Sequence, residues 1–222
     1  MPHPALIFDL DGTLVDTAPD LLAATNAVLR SQKRKAVDPA TLRHMVGFGA
    51  RSLIEQAMAA TGAAADAESL PGLVDIFLTH YRAHIADHSA PFAGVVETLE
   101  QLTDEGRRLA VLTNKPQQMA DLLLAALKLD HFFAVVYGAG RMSYVKPDAR
   151  IFADVVDALG GGSGIMIGDS MTDVATARAA KAPVILVSYG YTPQPAHMLG
   201  GDAVTDDFRQ VPAIARTLTQ QT

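Results

Sequence analysis

The sequence predicts an α/β fold: a Rossmann-like parallel sheet core with an α-helical cap domain inserted near its start. Three observations carry that prediction. Short apolar runs alternate with segments of helical period, as in βαβ units. The first run closes on a glycine turn, as a buried strand does, and later runs share its shape. The alternation breaks once, from about Thr17 to about Ala90, where helical patterns continue without a convincing strand.

Ala5-Leu6-Ile7-Phe8 is the first run and leads into Asp-Leu-Asp-Gly-Thr. In the inserted segment, Leu21, Leu22, Val28 and Leu29 mark one helix, with Thr17-x-x-Asp20 as its capping box and Pro19 in its first turn. Leu53, Ile54, Ala57 and Met58 mark a second helix, and Val74, Phe77, Leu78, Tyr81 and Ile85 a third. The chain returns at Ser89-Ala90-Pro91. The domain reading is therefore 1–16 and 91–222 for the catalytic core and 17–90 for the cap, which would act as a lid. Further strand-like runs follow at Leu109–Leu112, Ile165–Ile167 and Val184–Val187, with a weaker one at Ala134–Tyr137. Helices marked by Met119, Leu122, Leu123, Ala126 and Leu127, and by Ile151, Phe152, Val155, Val156 and Leu159, lie between them. Gly160-Gly161-Gly162-Ser163-Gly164 follows a helix and precedes a strand. It reads as a helix stop and turn, not as a phosphate loop.

The totals exclude several functions. Half the chain is apolar, which supports a buried core. A net charge of −6 gives no long-range attraction to nucleic acid or anionic membrane, so neither is an expected partner. The absence of cysteine removes thiol catalysis and thiolate metal sites. No apolar stretch approaches the ~18 residues of a membrane span. Met1-Pro2-His3-Pro4 leaves no room for a signal peptide, so a cytoplasmic location is expected, as monomer or homodimer.

The unusual polar residues fall at strand ends, where parallel sheets bind ligands. Asp9 and Asp11 follow the first strand, Thr113-Asn114-Lys115 the second, and Asp169 the run Ile165–Ile167; Asp173 sits in the next helical turn and Lys146 before another helix. Asp9, Asp169 and Asp173 would repel one another unless a hard divalent cation, Mg²⁺, joined them. With Lys146, that cation would offset the charge of a phosphate group approaching a carboxylate nucleophile. Thr113 can donate to a phosphate oxygen. Asp11 can act as general acid and then base, and the reaction would pass through an aspartyl-phosphate.

Asp9-Leu10-Asp11-Gly12-Thr13, Thr113, Lys146-Pro147 and Gly168-Asp169-Ser170-x-x-Asp173 resemble, in order and spacing, the four motifs of the haloacid dehalogenase-like hydrolases. The inserted segment resembles the cap of the members whose cap lies between the first two motifs. The resemblance implies Asp9 as nucleophile, Asp11 as acid/base, and Thr113 and Lys146 on the phosphate. Asp9, Asp169 and the Asp11 backbone carbonyl would face Mg²⁺, supported by Asp173. It also implies that the first and fourth strands lie side by side. Asp11 speaks against a dehalogenase or phosphonate hydrolase, and Thr13 against a sugar phosphomutase. Val46-Gly47-Phe48-Gly49-Ala50-Arg51, Thr113-Asn114-Lys115-Pro116 and Ser188-Tyr189-Gly190-Tyr191 are similar to loops of the phosphoglycolate phosphatase group. That group often has Gly-Gly-Asp and Lys-Pro-x-Pro where this chain has Gly138-Ala139-Gly140-Arg141 and Lys146-Pro147-Asp148-Ala149.

The expected function is thus Mg²⁺-dependent hydrolysis of a small phosphorylated metabolite, 2-phosphoglycolate first. The alternatives are another small phosphate ester or a phosphomutase among enzymes, and a phospho-Asp receiver or silent binding protein otherwise. Asn114, Gly49 and Arg51 are the candidate substrate-binding residues, Arg51 because its guanidinium fork fits a carboxylate. Against that stands the ordinary surface arginine. His80, His84 and His88 share one helical stripe but lack an acidic partner, which favours exposed cap histidines over a metal site.

Overall fold

One parallel sheet gathers the polar strand ends at a single edge. The computed structural model describes residues 3–220; Met1, Pro2, Gln221 and Thr222, which the domain and signal-peptide readings include, lie outside the described residues. In chain order the elements are β1 (Ala5–Phe8), β2 (Val15–Asp16), α1 (Ala18–Ser31), α2 (Pro39–Arg43), α3 (Ala50–Ala60), α4 (Leu70–Ala83), β3 (Ala90–Pro91), α5 (Val95–Asp104), β4 (Leu109–Pro116), α6 (Gln117–Ala126), β5 (Val135–Ala139), α7 (Ala149–Ala158), β6 (Gly164–Gly168), α8 (Met171–Ala179), β7 (Val184–Val187), β8 (Ala203–Thr205) and α9 (Val211–Gln220).

The main sheet runs β5-β4-β1-β6-β7-β8 with every pair parallel. β1 and β6, the first and fourth predicted strands, are neighbours in register Leu6 to Ile165. β1 is apolar throughout because both its faces are covered. Leu6 and Phe8 pack into one core with α5, α6 and α9, while Ala5 and Ile7 pack into the other with α7 and α8. Four helices, α1 to α4, lie between β2 and β3 and form a third apolar cluster, which also takes in Met119 and Tyr191 from the sheet side. Among the described residues no helix is long and apolar enough to cross a membrane.

Three local expectations need correction. The Thr17–Asp20 capping box does not form, and Thr17 makes no side-chain cap. Instead the N–H groups of Thr17 and Ala18 donate to the Tyr191 hydroxyl, at 2.7 and 3.0 Å. Asp20 reaches the returning chain and accepts from the Ser89 N–H at 2.8 Å, the Ser89 hydroxyl at 2.6 Å and the His88 N–H at 3.1 Å. Those donors compete for the carboxylate that would otherwise close the box. The histidine stripe is also interrupted: α4 ends at Ala83, so His88 lies beyond the helix, and His84 Nδ1 meets Asp87 Oδ2 at 2.7 Å. The segment 17–90 holds four helices where the pattern marks three, since α2 spans a single turn.

Candidate active site

The site is assembled from four strand-end segments. After β1 the backbone turns sharply: the Asp9 N–H continues the ladder to the Ile167 carbonyl at 2.8 Å, and the Gly12 N–H closes onto the Val15 carbonyl at 3.0 Å. Asp9 Oδ1 accepts from the Leu10 N–H at 2.7 Å and from Lys146 Nζ at 3.0 Å. Oδ2 of Asp9 has no hydrogen bond among the described residues. Lys146, buried in the loop between β5 and α7, also donates to Asp173 Oδ1 at 2.6 Å. At the start of α8, Asp173 Oδ2 accepts from the Ser170 hydroxyl at 2.7 Å and the Ser170 N–H at 3.1 Å. Asp169 is held by the Tyr191 N–H at 2.7 Å and the Thr13 hydroxyl at 3.0 Å.

Asp9, Asp169 and Asp173 are all buried, and each offers an oxygen within 4.8 Å of the others'. Burial above all pushes the Asp9 carboxyl up to about 7, with Lys146 opposing and Asp173 adding. Burial and then the charges of Asp173 and Asp9 push Asp169 up to about 8. Three buried carboxylates, only two of them paired with the one ammonium of Lys146, crowd negative charge together. An all-oxygen donor set of this kind fits Mg²⁺ and would be relieved by it.

β4 supplies the second segment through a bulge. Leu112 pairs with Tyr137 and Pro116 with Ala139, so Thr113, Asn114 and Lys115 stand opposite Gly138 alone. The extra residues bend the strand, and Thr113, Asn114 and Lys115 line the same cavity as Asp9. A Cβ at Gly138 would lie 2.6 Å from the Gln117 Cα and 2.9 Å from the Lys115 carbonyl, so only glycine admits the bulge. Thr113 is buried, and its hydroxyl accepts from the Lys115 N–H at 3.1 Å. Lys115 Nζ donates to Asp11 Oδ1 at 2.8 Å and to the Tyr81 hydroxyl of α4 at 2.7 Å. Asn114 Nδ2 donates to the carbonyls of Gly47 and Lys146, both at 3.2 Å, and its Oδ1 is buried without a partner.

The four-helix unit closes over these residues. Gly49 precedes α3 at φ 86°, a left-handed backbone conformation that favours glycine, and it sits beside the Asn114 carbonyl. Beneath it lies a cavity of about 40 Å³. Asp9, Asp11, Thr113 and Lys115 line its floor, and Leu53 and Phe77 belong to its apolar roof.

Of the predicted residues, Asp9, Asp11, Thr113, Asn114, Lys146, Asp169, Asp173 and Gly49 come together. The Asp11 carboxylate stands apart from the three-carboxylate cluster, on Lys115. The structure does not bring Arg51 to the site: it is 65% exposed on α3 and ion-paired with Glu55 at 3.1 Å. Arg51 and Glu55 are one helical turn apart, and the turn satisfies the charge locally. Sequence reasoning assigned no role to Lys115, Tyr81, Tyr191 or Thr13. For Lys115 the signal was available, a lysine directly after Thr113-Asn114. Tyr81 reads only as an apolar position of its helix.

Comparison with known proteins gives a consistent picture. The family model for haloacid dehalogenase-like hydrolases matches residues 6–187. A phosphoglycolate phosphatase of Caulobacter vibrioides is 47% identical over 215 residues, covering 96% of this chain and 91% of that one. Another from Mesorhizobium japonicum is 39% identical over 210 residues, covering 94% and 92%. A crystal structure described as a predicted phosphoglycolate phosphatase from Haemophilus somnus superposes with a TM-score of 0.90 at 28% identity, covering 96% and 97% of the two chains.

Proposed function

The chain belongs to the haloacid dehalogenase-like hydrolases and is a phosphoric monoester hydrolase; from that premise we propose that it uses Mg²⁺ to hydrolyse 2-phosphoglycolate through an aspartyl-phosphate on Asp9. The relatives' shared activity supports the substrate. The observation that carries the mechanism is the placement of Asp9: one oxygen is pinned by Lys146 and the Leu10 N–H, and the other has no hydrogen bond among the described residues.

Asp9 Oδ2 attacks phosphorus. The Oδ2–P bond forms as the bond from phosphorus to the leaving oxygen breaks, and Asp11 gives its proton to that oxygen. Asp11 then takes a proton from the water that attacks the aspartyl-phosphate, which restores Asp9 and releases phosphate. Lys146 offsets charge beside the nucleophile, and the Thr113 hydroxyl holds a phosphoryl oxygen. Asp9, Asp169 and the Asp11 backbone carbonyl would hold Mg²⁺, with Asp173 behind them. The ion, when bound, supplies charge neutralisation at the phosphoryl group. The roofed cavity restricts the substrate to small esters and shields the acyl-phosphate from bulk water.

The test is phosphate release with Mg²⁺ from 2-phosphoglycolate, sugar phosphates, nucleoside monophosphates and an aryl phosphate. The expected result is a preference for 2-phosphoglycolate that disappears with EDTA and drops at least about 10³-fold in Asp9→Asn. Preference for a different ester moves the substrate assignment. Phosphate returned to the substrate instead of released identifies a mutase.

A further inference from the structure

The four-helix unit contributes one side chain that hydrogen-bonds a charged group of the catalytic floor, a contact that helical period alone does not reveal. Tyr81 is a buried tyrosine of α4, and its hydroxyl lies 2.7 Å from Lys115 Nζ. Lys115 is itself buried, with 3% of its side chain exposed, and its other partner is Asp11 Oδ1 at 2.8 Å. An ammonium carries three donors. Two are used, and the third has no partner among the described residues. The Tyr81 oxygen accepts from Lys115, so its own proton also has no acceptor among the described residues. Burial pushes that phenol up to about 12, which keeps it a donor at neutral pH. Two unused donors therefore stand side by side on a cavity wall.

The surroundings define what they await. Of the residues lining this cavity, Lys115 is the one cation. Lys146 is engaged by Asp9 and Asp173, Arg43 by Asp16, and Arg51 by Glu55. Leu21, Leu53 and Phe77 make the roof apolar and Met119 adds an apolar side chain from the sheet side, which disfavours a leaving group carrying many hydroxyls. A carboxylate offers two acceptor oxygens with a full charge, the complement of an ammonium beside a phenol.

We propose that Lys115 Nζ and Tyr81 Oη form a carboxylate subsite, which reads an anionic group one or two carbons from the ester oxygen of the substrate. The inference rests on the phosphatase reading above, because Asp11, the residue Lys115 touches, is placed there at the leaving oxygen. The subsite thereby adjoins the leaving group. The cap residue that discriminates between substrates is Tyr81, acting with a lysine of the core, and Arg51 takes no part.

The experiment measures binding to the Mg²⁺-loaded protein by calorimetry. The ligands are 3-phosphonopropionate, a non-hydrolysable isostere of 2-phosphoglycolate, and propylphosphonate, which lacks the carboxylate. The expected wild-type preference for the carboxylated ligand is about 30-fold, the size of a charge-assisted hydrogen-bond pair. In Lys115→Met the ratio should collapse to within about threefold, and in Tyr81→Phe it should fall about fivefold. A ratio unchanged in Lys115→Met overturns the subsite while leaving the phosphatase reading intact, and a wild type that does not discriminate overturns it equally. Hydrolysis of 2-phosphoglycolate by the wild type is assayed in parallel, and its absence from every ester tested overturns the functional reading instead. If Lys115→Met does not fold, Tyr81→Phe decides alone, because it removes a single oxygen. An unaltered ratio there overturns the subsite.

Discussion

Asp169 is held in place by the Thr13 hydroxyl and the Tyr191 N–H, yet its charge is opposed by Asp9 and Asp173. Position and charge can therefore be separated at this residue. Asparagine keeps the shape and can still accept from the Tyr191 N–H, but it removes one of three repelling charges and a cation ligand. We expect metal-free Asp169→Asn to melt no lower than the metal-free wild type. The rise in Tm that Mg²⁺ gives the wild type should vanish in the variant. Thermal melts with and without Mg²⁺ check both, and a retained Mg²⁺ shift would remove Asp169 from the metal site. The motif carboxylates were legible in the sequence because the chemistry demands their type at a strand end. Tyr81 was not, since its meaning lies in a contact between a strand bulge and a distant helix, and the signal at Lys115, a lysine directly after Thr113-Asn114, gains its meaning from that same contact. Arg51 has the type suited to a carboxylate, but on α3 it lies one turn before Glu55 and pairs there.

At the scale of elements, α1 is fastened at its first turn by groups from outside it. Asp20 accepts from the backbone of His88 and Ser89 on the chain returning to β3, and it is buried. Asp20→Ala leaves those N–H groups without their acceptor and should cost about 3 kcal/mol of stability. Urea unfolding measures it; a loss below about 1 kcal/mol would mean that water replaces the carboxylate. The same contact explains a misreading. The pattern Thr17-x-x-Asp20 resembles a capping box, but both Asp20 oxygens are taken up by the donors of His88 and Ser89. β1, β4, β6 and β7 were legible as apolar runs, β5 as a weaker one, and α1, α3, α4, α6 and α7 by period, whereas α5 and α9, as long as α6 and α7, went unmarked. β8 was not legible, because an edge strand of three residues leaves no pattern. β2 and β3 escaped for the same reason, with two residues each. The β4 bulge escaped because bulges are set by the partner strand, here by Gly138.

In the molecule as a whole, the helical unit rests on the sheet through polar contacts that surround the cavity. Asn114 donates to Gly47, Lys115 to Tyr81, and Arg82 pairs with Gln118. Tyr191 binds Asp169 through its N–H, and its hydroxyl donates to Asp16 and accepts from Thr17 and Ala18. We expect a roof so placed to admit a small ester and exclude a polypeptide. Turnover of a phosphoserine peptide should fall at least about 100-fold below that of 2-phosphoglycolate in kcat/KM; equal rates would mean that the roof does not gate access. The short ribbon of β2 and β3 bears on this roof in another way. Val15 faces Pro91 and Asp16 faces Ala90, so the chain departs from the sheet and comes back at adjacent points. Joining such points across a flexible stretch of this length costs roughly 4 kcal/mol of chain entropy. A stretch that folds on its own and holds its two ends together removes much of that penalty. We expect residues 17–89 to behave as a plug-in whose chief tie to the sheet is a pair of ends a strand's width apart. An unrelated helical module with the same spacing could be grafted there, changing which esters are accepted while the carboxylates below stay as they are.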